Sequence, residues 1–168
     1  MAMKWPCSRP SREADMSVAI QHEDFDLNAE VAALRASSNN VGAIVSFVGL
    51  VRDMSPDGAV ESIFLEYYPG MCEKELNKII AEATARWQLI GTRVIHRIGL
   101  LHPNEQIVLV AAAASHRGEA FKGCEFIIDY LKTAAPFWKK EIKPDGEVWL
   151  ETKETDKQRM QHWRIQND

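Results

Sequence analysis

Two apolar runs constrain this chain more than any other feature. GAIVSFVGLVR (42–52) and QIVLVAAAAS (106–115) show almost none of the polar–apolar alternation of a strand with one wet face. The first is rich in β-branched and apolar residues and predicts a strand covered on both faces; the second predicts another buried strand. Covering such strands requires amphipathic helices. MCEKELNKIIAEATARW (71–87) is the clearest, with Leu76, Ile79, Ile80, Ala83 and Trp87 on one face, acids early and Arg86 late. LNAEVAALRA (27–36) places Leu27, Val31 and Leu34 at helical spacing, with Asp26 or Asn28 able to cap it; Asn39, Asn40 and Gly42 then break the pattern. A third helix is expected from Arg117 to Ala135. SVAIQ (17–21), VESIFLEYY (60–68), RVIHRIGLL (93–101) and EVWLET (147–152) read as further strands, with a Pro-Gly turn at 69–70. Strands outnumber helices and only partly alternate with them, which predicts an α+β fold with a mixed β-sheet and packed helices.

The chain has 168 residues and no internal repeat, so one domain over 17–152 is expected, with a loose leader at 1–16 and a polar tail at 153–168. A net charge of −4 disfavours nucleic acid and anionic membranes as partners, while leaving room for a local basic pocket. No apolar run is long enough to span a membrane. The three cysteines, Cys7, Cys72 and Cys124, are far apart and form neither a zinc pattern nor a disulfide framework. They predict a reducing, cytoplasmic compartment. No metal or cofactor is expected.

The chemistry concentrates in three stretches. In IIDYLKTAAPFWKKE (127–141), a wheel of about 100° per residue puts Phe121, Cys124, Ile128, Leu131 and Ala135 on one stripe. Lys132 lies about 40° from Ile128, at the edge of that stripe. Its ammonium either sits at the rim of a cavity or snorkels to water near the helix C-terminus. Pro136 stops the helix, so Phe137 and Trp138 can fold back and bring Lys139 towards Lys132. Two ammonium groups in a partly dry site favour a free amine able to act as base or nucleophile, and together attract an anion. Alternatively, Lys139 and Lys140 form a solvated turn.

SHRGEA (115–120) joins the end of an apolar strand to the start of a helix, where Ser115 can cap and His116 and Arg117 lie beside free backbone N–H groups. This suits an anion such as phosphate; a structural histidine and a surface arginine are the plainer alternative. FVGLVRD (47–53), opening on Phe47, delivers Arg52 at the end of a buried strand, with Gly49 permitting close approach to the backbone. His116 and Lys132 are sixteen positions apart on a nearly continuous helix, or about 24 Å. One small anion cannot touch both within one chain. A shared site requires a homodimer with pockets crossing its interface.

The blocks GAIVSFVGLVRD, LEYYPGM, VIHRIGLL, SHRGEAF and DYLKTAAPFWKKE followed by GEVWLE resemble the MoaE family, the large catalytic subunits of molybdopterin synthase, from about Val41 to Glu151. The resemblance implies an α/β-hammerhead fold and a central homodimer within a heterotetramer, flanked by small ubiquitin-like sulfur-carrier subunits. It implies transfer of two sulfurs from the small subunit's C-terminal thiocarboxylate to cyclic pyranopterin monophosphate, giving the dithiolene of molybdopterin. Motif matching places the essential lysines at Lys132 and Lys139. It places anion-holding residues at Arg52 and, from the neighbouring subunit, at His116 and Arg117; Phe47, which opens FVGLVRD, is expected to bind substrate beside them. Ala134 stands where relatives often carry a basic residue and Leu50 where some do, so both cost positive charge near the pocket.

Two other readings compete. A cysteine-persulfide sulfurtransferase would use Cys72 or Cys124 as carrier. A non-enzymatic dimeric scaffold would merely capture a partner's C-terminal carboxylate.

Overall fold

The computed structural model describes residues 15–56, 58–151 and 154–165. In chain order the elements are β1 (Asp15–Gln21), α1 (Leu27–Ser37), β2 (Ala43–Leu50), β3 (Met54–Ser55), β4 (Gly58–Ala59), β5 (Ser62–Tyr67) and α2 (Met71–Trp87). Then come β6 (Gly91–Arg97), β7 (Gly99–Leu101), β8 (Gln106–Ala114), α3 (Arg117–Ala134), β9 (Phe137–Lys143), β10 (Gly146–Leu150) and α4 (Glu154–Ile165).

The two apolar runs pair with each other. β2 and β8 are antiparallel, from Ala43 opposite Ala114 to Leu50 opposite Gln106, inside a sheet ordered β1-β6-β8-β2. β1 joins β6 in parallel, so the sheet is mixed and the class is α+β, as expected. Because successive side chains alternate faces, β8 divides its load. Val108, Val110, Ala112 and Ala114 enter the core shared with α2 and α3, whereas Leu109, Ala111 and Ala113 enter a second core with Phe25 and Leu34 of the α1 side. Asp26 caps α1, its carboxylate accepting from the N–H groups of Asn28 and Ala29 at 2.8 and 3.2 Å.

The second sheet, β10-β9-β5-β7, is antiparallel throughout. The expected single strand 93–101 is in fact two. Gly99 takes φ +82°, a left-handed conformation that L side chains resist, and there the chain leaves the first sheet for the second. Val51, Val60, Ile63, Leu65 and Leu101 form a third core cluster against this sheet.

Four further expectations change. Lys139 and Lys140, for which a solvated turn is the plainer alternative, lie within strand β9 instead. Phe121, assigned to the buried stripe of α3, is 60% exposed, because the buried face runs instead through Ala120, Cys124, Ile127 and Leu131. The segment expected as a polar tail contains α4, whose Trp163 is only 5% exposed and packs edge-on against Trp87 and Phe126 at 5.5 Å from each. Of the expected leader, Asp15 and Met16 belong to β1, and 1–14 lie outside the described residues.

Candidate functional site

α3 positions the principal lysine. Its N-cap is His116, which makes no capping side-chain bond; Ser115, expected as the cap, instead accepts from Asn40 Nδ2 at 3.3 Å. The helix ends at Ala135, forced into extended backbone by the following Pro136. Lys132 therefore stands exposed in the last turn, where a cation suits the helix dipole. Its Nζ lies 5.9 Å from the ring centroid of Phe47, which projects from β2. That cation–π contact contributes about 0.5–1 kcal/mol at a wet site and aims the amine across the cleft.

The cleft has a volume of about 450 Å³ and lies between β2, α3 and α4. Phe47, Phe121, Cys124 and Ile128 give it apolar walls; Lys132 supplies a cation, and Asp129, Asp156 and Arg159 stand on the α4 side. Asp129 anchors that wall. It is 6% exposed, accepts from the indole N–H of Trp163 at 2.9 Å, and faces Arg159 at 3.6 Å.

Beyond Pro136, β9 runs antiparallel to β5 and places Lys139 opposite Leu65. Directly opposed residues share a face, so Lys139 lies on the side carrying the buried Leu65 and Ile63 and is itself half-buried. Two positions on, Glu141 is buried, and Lys143 approaches it at 3.5 Å from the same face.

A register shift between Gly49 and Leu50 ends β2 in a bulge. A Cβ on Gly49 would come within 2.7 Å of Val108, so the glycine admits a core side chain rather than a ligand. The bulge re-aims the strand: Val51 turns into the third cluster, and Arg52 emerges exposed.

The structure thus brings together Lys132 and Phe47. Arg52, Lys139, His116 and Arg117 are not among the residues lining the cleft, and His116 and Arg117 lie exposed at the opposite end of α3. Sequence reasoning did not single out Asp129, Arg159, Glu141 or His96. His96 is buried in β6, its ring stacked on Phe137 with centroids 3.8 Å apart and planes at 11°. Burial holds the imidazole neutral, its pKa lowered to about 4.

The thiols are poorly placed for carrier chemistry. Burial pushes Cys124 up to about 12 and raises Cys72 as well, with Glu73 adding to the second shift. Both are kept protonated, whereas attack on sulfur needs the thiolate. Among the described residues, no group of three or more His, Cys, Asp or Glu could hold a metal ion, and no helix is long and apolar enough to cross a membrane.

Known proteins resemble this chain in sequence and in overall fold. The family model described as MoaE protein matches residues 20–134. A molybdopterin synthase catalytic subunit from Ralstonia nicotianae is 51% identical over 152 residues, spanning 90% of this chain and 86% of the relative. The structure of a molybdopterin biosynthesis MoaE protein from Burkholderia ambifaria superposes with TM-score 0.76 at 54% identity, covering 88% of this chain and 97% of that one. The crystal structure of molybdopterin synthase from Staphylococcus aureus gives TM-score 0.72 at 33% identity, covering 79% and 96%.

Proposed function

Because the chain belongs to the MoaE family, we propose that it is the catalytic subunit of a cytoplasmic molybdopterin synthase. It moves two sulfurs from the C-terminal thiocarboxylate of a small ubiquitin-like partner to cyclic pyranopterin monophosphate. The observation that carries this reading is Lys132, an amine held against Phe47 at the mouth of an apolar-walled cleft.

Each residue takes a role its position suits. Lys132 exchanges protons with the reacting groups or briefly accepts the acyl group of the partner's tail. The exposed Arg52 and the inward-facing Lys139 stabilise the developing negative charge and the phosphate. His116 and Arg117 serve the site of a second copy, since about 24 Å of α3 separates His116 from Lys132 in one chain. The site is complete only in a dimer.

The test combines purified protein, thiocarboxylated small subunit and the cyclic pterin, with dithiolene product as the readout. Lys132→Ala is expected to abolish product while leaving the circular dichroism unchanged and lowering Tm by no more than roughly 4 °C. Mixing Lys132→Ala with a His116→Ala/Arg117→Ala variant is expected to restore part of the activity through hybrid dimers. Turnover by Lys132→Ala alone refutes the assignment.

A further inference from the structure

The corner between the two lysines is built with unusual care for a loop. Lys132 and Lys139 flank Ala135–Pro136–Phe137, and the Phe137 N–H donates to the Ala135 carbonyl at 2.8 Å, closing a γ-turn around the proline. Two separate elements grip this corner. From α2, the fully buried Cys72 donates its S–H to the Pro136 carbonyl at 3.2 Å. From β6, His96 lies flat on the Phe137 ring, which also stacks on Tyr67 at 6.4 Å.

His96 is fixed on its own side. It occupies the middle of the first sheet, paired with Ile20 of β1 and Val108 of β8. Its Nδ1 is 2.8 Å from the Arg97 carbonyl. A carbonyl only accepts, so Nδ1 bears the proton and the ring plane is set by that bond. The imidazole thereby transmits the position of a rigid sheet to Phe137, two residues ahead of Lys139.

We infer that His96 is a positioning residue for the sulfur-transfer reaction: with Cys72, it locks the Pro136 corner and so fixes Lys139 relative to Lys132. This rests on the reading that both lysines serve one reaction. The chemical reason is the steep dependence of rate on placement, where a misplacement of about 1 Å costs on the order of a hundredfold.

The experiment compares His96→Leu with His96→Phe in the product assay with thiocarboxylated small subunit and cyclic pterin. Both variants lose the bond to the Arg97 carbonyl, but only phenylalanine keeps a flat face for Phe137. A role in stability alone makes the two equally poor. The positioning role predicts that His96→Leu loses kcat by about tenfold or more with KM for the pterin little changed, and that His96→Phe recovers most of it. Phe137→Leu cuts the same stack from the other side, and is expected to match His96→Leu; it carries the comparison should His96→Leu fail to fold. Equal kcat values for the leucine and phenylalanine variants, or a leucine variant within twofold of the parent, overturn the proposal. Lys139→Ala is run alongside. If it retains full turnover, the assignment of Lys139 falls, and positioning by His96 falls with it; if it is inactive while His96→Leu is normal, only the positioning role falls.

Discussion

Removing the Trp163 side chain tests whether α4 belongs to the folded unit. The indole is 5% exposed, meets Trp87 and Phe126 edge-on, and donates to Asp129 at 2.9 Å. A buried tryptophan covers roughly 200 Å², worth about 5 kcal/mol at ~25 cal/mol per Å² as an upper figure. Measured aromatic-to-alanine changes in cores fall at roughly 3–5 kcal/mol. Trp163→Ala is therefore expected to lower stability by about 4 kcal/mol, or roughly 10 °C in Tm for a chain of this size. Trp163→Phe keeps the edge-on contacts and loses the bond to a charged acceptor, so the expected loss is roughly 1.5–3 kcal/mol. Urea denaturation followed by far-UV circular dichroism measures both. A Trp163→Ala midpoint unchanged from the parent, or a phenylalanine variant as unstable as the alanine one, refutes the reasoning.

Gly99→Ala places a side chain at φ +82° and a Cβ 2.8 Å from His22 Nδ1, so a loss of roughly 1–3 kcal/mol is expected in the same denaturation assay. His96 carries a pH signature. Its folded pKa lies below the unfolded one, so the unfolded chain binds the extra proton and stability falls as pH drops from about 6.5 towards 4. The loss attributable to this one group is roughly 3 kcal/mol, and His96→Phe is expected to lose less stability than the parent between pH 7 and pH 4.5. Burial of Cys72 and Cys124 predicts that neither reacts with a thiol reagent at pH 7.5 in the native protein, while both label in urea. Rapid native labelling of Cys124 would reopen the persulfide reading.

The elements legible from sequence were those whose chemistry is local. α2 matches its expected span, Met71–Trp87, because five apolar residues fall on one helical face and nothing tertiary opposes them. β8 follows from its unbroken apolar run. β9 escaped notice because FWKKEIK carries charge on both faces: Lys139, Glu141 and Lys143 on the side of Ile63, and Lys140 on the other, over Phe64 and Trp149 at 5.6 and 5.4 Å. No polar–apolar alternation survives that arrangement. α4 was hidden because Trp163 is its one buried residue among those whose side chains are described. The contact of Lys132 with Phe47 depends on how α3 crosses β2, which residue spacing does not encode. The importance of His96 is likewise tertiary, since RVIHRIGLL reads as an ordinary strand until Phe137 arrives against it from forty-one positions away.

The alanines at 111–114 all lie at 0–1% exposure, with a different layer on each side. They act as spacers that set how closely the α1 and α3 layers approach the sheet. Lengthening any one of them by two methyl groups adds volume at a fully buried position and costs roughly 1–3 kcal/mol. Sequence drift in this strand is thus tied to compensating loss of volume in a helix on the matching side. A descendant of this chain that acquires a valine here is expected to show a smaller residue on α3 or α1 in the same lineage.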